Sequence, residues 1–590
     1  YGIQKMWNLI WLLKLCLLIV TSDARTSNIL KVKMPHGGIL IGRYLNTFSG
    51  KGIRAFLGVP YAQPPIGSLR FKAPVEFPLW HGERNAIDDT YKCVQRDPYR
   101  RDIDIEGTED CLHINIYTPE NATVNSKLPV MVFFHGGGWQ CGSGIREFYG
   151  PDYLMEHDII YIGANFRLGP LGFLSTEQED CPGNNGLKDQ VMVLRWVREN
   201  IQAFGGDPKS VTIFGESAGG ASATYHMMSP LSKGLFHKAI SQSGTNLNPW
   251  AQPAHPGVAQ ARSIRLGEMF GCKLEINNFK AMLNCLRNVP AANITSAYYD
   301  FFTWDTDPMI PFPPVIEPDL PGAFITKHPR DELEPHGINI PYICGLTMDE
   351  GAMKSAPIIN IKSLAQDMNN NWQRALSTSL YYDHHNERIQ NFITEKINNF
   401  YFNNQQLRHE THHNLTNVYT DGWFFAGIDE YLRLRLLESK KRNKNVKIGP
   451  TFVYLFAQKA SASFTEIFKG GRENYYGVSH AEELQFLFPI AKELFLAAIP
   501  TESDLIIRKR ITELWVNFAK TGNPTPPDTT NDIPKWHSAT TFPLDYYRIG
   551  NKDSTVTNLF AMENGLFDDR AAFWKNLGAH LTKLILKDEL

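Results

Sequence analysis

The sequence predicts an α/β fold, a large and mostly parallel sheet flanked by helices, and two stretches carry that prediction. The first is Phe214-Gly215-Glu216-Ser217-Ala218-Gly219-Gly220, a Gly-x-Ser-x-Gly pattern set between the apolar run 210–214 and the helix-prone stretch 221–228. Strand, tight turn and helix in that order is the context in which the pattern presents a serine nucleophile. A serine hydroxyl attacks poorly unless a sharp turn holds it where a base can reach it, and such a turn demands small neighbours. The second is Leu128-Pro129-Val130-Met131-Val132-Phe133-Phe134, a continuous apolar run of the kind buried on both faces, which delivers the chain to His135-Gly136-Gly137-Gly138-Trp139. Successive glycines leave backbone NH groups open to a developing oxyanion. Ser217 is therefore the candidate nucleophile.

Composition bounds the rest. With 590 residues, 43% of them hydrophobic, and a formal net charge of -2, the chain can bury a large core and has no electrostatic reason to bind nucleic acid or an anionic membrane. No repeat, linker or composition shift divides it, so residues 25–586 are read as one catalytic domain with insertions. Residues 1–5 precede the first methionine and read as upstream sequence; 6–24 read as a secretory signal peptide, apolar and ending in Ser22-Asp23-Ala24. The final Lys587-Asp588-Glu589-Leu590 is the address read by the endoplasmic-reticulum retrieval receptor, which places the protein in the lumen.

A lumenal protein should carry disulfides and glycans. Cys93 with Cys111 and Cys272 with Cys285 would close two short loops, each removing about 3 kcal/mol of unfolded-state entropy in the loop model. With Cys16 leaving in the signal, Cys141, Cys181 and Cys344 are an odd remainder, so at least one is expected as a buried free thiol unless it pairs between chains. Asn121, Asn293 and Asn414 each open an Asn-x-Thr sequon, expected on surface loops.

Along the chain, Glu109-Asp110-Cys111-Leu112, His135 to Trp139, Asn165-Phe166-Arg167, the stretch 183–190 and the stretch 214–220 occur in order, followed late in the chain by Trp515-Val516-Asn517-Phe518 and Tyr547-Arg548-Ile549-Gly550. Together they resemble the signatures of the type-B carboxylesterase and cholinesterase family, which has the α/β-hydrolase fold, and the likeness spans nearly the whole chain after the signal. The resemblance implies groups that spacing could not select from eighteen histidines. The acid is Glu350, with its neighbour Asp349 as rival, and the base is His480. Serine, acid and histidine in that order fit the fold. The oxyanion donors are the NH groups of Gly137, Gly138 and Ala218. Glu216 and Ser243 support the site, Trp250 lines the acyl pocket, and Arg70 with Glu109 and Arg167 with Asp189 are structural ion pairs. No cofactor is implied.

Departures narrow the substrate. Cholinesterases place a tryptophan for a quaternary ammonium in the loop closed by the first disulfide; residues 94–110 contain none. Insect juvenile hormone esterases show Gln before the nucleophile, where this chain has Glu216. A broad carboxylesterase for uncharged small-molecule esters remains, with a lipase or a juvenile-hormone-type esterase as alternatives and a non-catalytic binding protein as the non-enzyme reading. His409-Glu410-Thr411-His412-His413 matches the spacing of a zinc-hydrolase motif, but it sits in a polar stretch beside the Asn414 sequon and reads as a solvated helix or loop, with no metal assigned.

Overall fold

A computed structural model describes residues 29–98, 104–275, 278–331, 335–438, 441, 447–495, 498–529 and 532–588. The signal segment 6–24 and the last two residues of the retrieval sequence lie outside them. The architecture is an 11-stranded sheet. Its strands are β1 (Arg43–Asn46), β2 (Gly52–Pro60), β3 (His113–Pro119), β4 (Leu128–Phe134), β5 (Ile160–Ala164), β6 (Gly206–Glu216), β7 (Lys238–Gln242), β8 (Tyr342–Thr347), β9 (Thr451–Phe456), β10 (Asp545–Ile549) and β11 (Phe560–Asn564). In space they run β11-β10-β9-β8-β7-β6-β4-β5-β3-β2-β1. Neighbours from β5 through β10 are parallel, and the strands outside them pair antiparallel. A three-stranded sheet of Lys31–Lys33, Ile39–Ile41 and Glu83–Asn85 stands apart.

The parallel strands read as apolar runs because helices cover both faces. Every residue of β5, β8 and β9 is buried, as are the last five of β4. The helix α1 (Ala218–Met228), buried along its whole length, packs on β6 and β7. Strand limits differ from the apolar runs for definite reasons. β8 starts at Tyr342, since Pro341 has no NH to give the ladder, and it continues to Thr347 because Gly345 to Thr347 pair with Tyr454 to Phe456 of β9. β6 extends back to Gly206 through polar residues that hydrophobicity alone would not count, as Gly206 pairs with Leu128.

The two expected disulfides are present, Cys93–Cys111 and Cys272–Cys285, while Cys141, Cys181 and Cys344 are free and buried. Burial pushes the Cys181 and Cys344 thiols up to about 12, which leaves them inert. Arg70 holds Glu109 in a two-pronged ion pair and donates to the carbonyls of Leu286, Arg287 and Val289, so it joins the two disulfide regions. Arg167 and Asp189 pair at 2.7 Å with almost no exposure. Of the sequons, Asn121 lies exposed in a turn, as expected. Asn293 is exposed but on the helix Ala291–Ser296, and Asn414 is half-buried on the helix His412–Tyr419 with its Thr416 hydroxyl bonded to Ser355. Those two expectations of loops are corrected: an apolar residue at the centre of each sequon, Ile294 and Leu415, is drawn into the core and takes a helical turn with it.

Candidate active site

Strand order reverses between β4 and β6, because β5 follows β4 on one side while β6 to β10 run off on the other. In open α/β sheets that reversal leaves a crevice at the carboxyl ends of the strands. β4 ends there at Phe134, with His135 between it and the glycine run, and β6 ends at Glu216, immediately before Ser217. Ser217 has φ 57° and ψ -122°, the strained corner of a nucleophile elbow, and its NH is fixed by the carbonyl of Gln242. The NH groups of Gly137, Gly138 and Ala218 donate to no backbone carbonyl in the loops and turns of the described residues, and Ala218 opens α1, where the helix has no internal acceptor for them.

β8 delivers the expected acid, Glu350. Glu350 lies three residues beyond its end, fully buried; one oxygen accepts from the Thr347 NH at 2.7 Å and the other is 2.6 Å from His480 Nδ1. Its neighbour Asp349 turns the other way, accepting from the Val478 NH at 2.9 Å, so of the two acids Glu350 is the one on the imidazole. His480 Nε2 is 3.0 Å from Glu216 Oε1, a charge contact whose angle is too poor for a hydrogen bond. Burial pulls the His480 pKa down, but the carboxylates of Glu216 and Glu350 outweigh it and the group ends well above its ordinary value. Other buried histidines behave oppositely: burial pushes His135 down to about 4 and His226 to about 3. His135 stacks on Phe166 and donates to the Gly136 carbonyl, a structural part of the glycine loop.

The cavity that Ser217, His480, Glu216 and Gly136 to Gly138 share has a volume of ≈ 180 Å³. Its other walls are mostly apolar, among them Phe148, Met309, Met353, Phe424, Phe468 and Leu494, with Lys92, Asp97 and Glu106 as charged members. Trp250, expected in the wall, stands one layer back: it is fully buried, donates to the Trp423 carbonyl, and packs 5.9 Å behind Phe424, which forms the wall instead. Ser243 has φ 52° and a buried hydroxyl without a hydrogen-bond partner among the described residues.

The carboxylesterase family profile matches residues 26–574. The chain belongs to the carboxylesterase family. It is 34% identical over 555 residues to a juvenile hormone esterase of Tribolium castaneum, covering 91% of this chain and 92% of that one. It is 34% identical to esterase FE4 of Myzus persicae, with 88% and 89% covered, and 32% identical to venom carboxylesterase-6 of Apis mellifera, with 93% and 94% covered. Among solved structures, the juvenile hormone esterase of Manduca sexta with OTFP covalently attached superposes with a TM-score of 0.79 at 26% identity, covering 94% of this chain and all of that one. This carboxylesterase is thus a hydrolase of carboxylic esters on the α/β-hydrolase fold.

Elsewhere, the zinc-like motif does not form a site. His409 lies in the short 3₁₀ turn His409–Thr411 while His413 belongs to the helix that follows, and no three His, Cys, Asp or Glu side chains converge as metal ligands among the described residues. Sequence reasoning passed over Glu483, which is fully buried and bonded by Tyr454 and Gln242; burial first, and the Glu216 and Glu350 carboxylates next, push it up to about 8, which favours its neutral form. It also passed over Gln140, whose amide ties the glycine loop to the Met309 carbonyl of the cavity wall at 3.1 Å. Neither residue type announces itself in a sequence, and the partners that mark them, Tyr454 and Gln242 for Glu483 and Met309 for Gln140, lie far off along the chain.

The electrostatics give a first expected result. To accept a proton as the expected base, His480 must be neutral, and two carboxylates favour its charged form. Replacing Glu216→Gln removes one of them, so the acidic limb of the kcat/KM profile against pH should move to lower pH, by about one unit or more. A limb that stays in place or moves up would show that Glu216 does not set the imidazole's charge.

Proposed function

We propose that this carboxylesterase hydrolyses uncharged, apolar small-molecule esters through an acyl-enzyme on Ser217, with His480 as base and Glu350 as its orienting acid. The single observation that carries the reading is the 2.6 Å contact between His480 Nδ1 and the buried Glu350, in a cavity that also holds Ser217 and the glycine loop. His480 Nε2 takes the Ser217 proton as Oγ bonds to the ester carbon, and Glu350 holds Nδ1–H and stabilises the imidazolium. The NH groups of Gly137, Gly138 and Ala218 take the oxyanion, each such donor being worth about 3 kcal/mol. Collapse breaks the bond to the alcohol, which leaves with the proton from Nε2. Water, deprotonated by His480, then attacks the acyl carbon and frees the acid and Ser217.

The apolar walls and the ≈ 180 Å³ volume favour short to medium acyl chains without formal charge, since ligand pockets commonly run from about 300 Å³ upward. Glu216, rather than glutamine, beside the nucleophile favours a broad carboxylesterase over a juvenile-hormone esterase. Two disulfides suit an oxidising compartment, and the terminal Lys-Asp-Glu-Leu supports retrieval to the endoplasmic reticulum, with glycans at the exposed Asn121 and Asn293. Among the described residues no helix is long and apolar enough to cross a membrane.

The test is covalent. A fluorophosphonate should label one serine per chain, on the peptide holding Ser217, and the labelled protein should turn over no p-nitrophenyl ester from acetate to long acyl chains. Unlabelled protein should prefer short to medium chains and keep its activity with a chelator present. Label on another serine, or a labelled chain that still hydrolyses esters, overturns the assignment; a long-chain optimum moves the substrate reading to a lipase.

A further inference from the structure

One segment of the cavity wall is built unlike the rest. Between the helices His412–Tyr419 and Ala426–Arg433 the chain makes a π-helical turn, Thr420–Phe425. A π turn inserts a residue into the helical repeat, so side chains beyond it swing by about 100° relative to a continuous α-helix. Here the swing brings Phe424 to the cavity, with its ring 4.6 Å from the His480 imidazole. The turn is also loosened on purpose-built contacts. Asn248, fully buried, donates its Nδ2 to the Trp423 carbonyl at 2.8 Å and to the Phe424 carbonyl at 2.6 Å, while its Oδ1 accepts from the Thr245 NH and hydroxyl. Trp250 adds a second donor to the Trp423 carbonyl at 2.8 Å.

The approach is close. A Cβ on Gly427 would meet the Asn248 Cα and N at 2.6 Å, so no other residue lets this helix come down on the turn that follows β7. That turn begins at Ser243, beside the nucleophile: a Cβ on Gly244 would lie 2.1 Å from the Ser217 carbonyl. At its other end the π turn accepts the NH of Gly351, the residue after Glu350, on the Thr420 hydroxyl at 2.9 Å. One turn of helix therefore touches the acid's loop, the imidazole's face and, through Asn248, the turn after β7 whose Gly244 packs on Ser217.

We propose that Asn248 is a positioning residue that sets the shape of the cavity by capturing the π-turn carbonyls and so holding the Phe424 wall against His480. The inference rests on the acyl-enzyme reading above, and adds to it what holds one wall of the cavity in place. Asn248 cannot reach substrate itself, as Trp423 and Phe424 lie between. Its effect must pass through Phe424, and this separates it from a residue that merely stabilises the fold.

The experiment uses the full chain, with active sites counted by fluorophosphonate, and compares p-nitrophenyl acetate, butyrate and octanoate. Phe424→Ala should lower kcat/KM for acetate by about tenfold or more, as a short acyl group loses its wall, and change octanoate by less than about threefold. Asn248→Leu, near in size but without donors, should shift the chain-length profile in the same direction with Phe424 intact. The double variant should be no worse than Phe424→Ala alone, since both act on one wall. Equal losses for every ester in Asn248→Leu, or additive losses in the double variant, overturn the positioning role. Should Asn248→Leu not fold, Asn248→Asp keeps the Thr245 contacts and still lacks the donors, and the same outcomes are read from it. An unchanged profile in Phe424→Ala overturns the proposal on its own, since that side chain faces a cavity. Failure of the underlying reading shows differently, as an absent fluorophosphonate titre in the wild-type chain.

Discussion

Ser217→Ala is expected to lower kcat by about 10⁶, and adding His480→Ala to it should cost almost nothing more. In the proposed mechanism the two groups share one proton, so removing either removes the same step. What should remain is a rate some 10³–10⁴ above water, from the oxyanion donors and from binding. Glu350→Gln is a subtler change with an expected loss of about 10⁴ in kcat and little change in KM. Glutamine is the same size and can still accept from the Thr347 NH, but its amide then faces Nδ1 and donates to it. That forces the imidazole proton onto Nε2, where the Glu216 carboxylate 3.0 Å away favours it by charge. Nε2 then cannot accept from Ser217. The measurement is single-turnover acylation for wild type, the single variants and the double variant. Strictly additive losses for Ser217→Ala and His480→Ala would mean that they act in separate steps, and the mechanism would fall.

What could be read from the sequence follows from how each feature is encoded. The nucleophile turn and the glycine loop are local: strand, special turn and helix lie within a few residues, so the pattern around Ser217 and the run 135–139 could be placed before any fold was known. The parallel sheet was legible for the same reason, in runs such as β4 whose apolarity on both faces has one explanation. Glu350 and His480 are 130 positions apart and meet only because β8 and β9 are neighbours in the sheet, so family likeness and not spacing had to name them. Phe424 was out of reach altogether. Its placement depends on an inserted helical residue and on Asn248, 176 positions away, and neither leaves a periodic trace. Trp250 was visible as an aromatic near the site, but whether an aromatic lines a cavity or backs the one that does is set by packing, which composition does not record.

The oxyanion loop allows the second large effect to be derived from geometry. Gly137 sits at φ +90°, and a Cβ there would lie 2.3 Å from the Cys141 carbonyl oxygen. That carbonyl cannot simply retreat, because the Gln140 and Cys141 NH groups both bond back to the Gly137 carbonyl, at 3.0 and 3.1 Å, and close the loop on itself. In Gly137→Ala the peptide carrying the donor must therefore turn away from the cavity. Losing one preorganised donor lowers kcat by about 10²–10³, and since the oxyanion exists only in the transition state, KM should hardly move. Gly138→Ala should be milder. Its φ of +61° is one that an L-residue can adopt at modest cost, and the nearest atoms, Gln140 Nε2 at 3.0 Å and Ile310 at 3.4 Å, belong to side chains that can yield. Affinity for a trifluoromethyl ketone, which binds as an oxyanion, supplies the check. Across wild type, Gly138→Ala and Gly137→Ala its inhibition constant should rise in step with the fall in kcat, with thermal midpoints measured alongside to separate lost donors from lost fold. A series in which KM rises instead, while the ketone binds unchanged, would assign the glycine loop to substrate binding and leave the oxyanion to Ala218 alone.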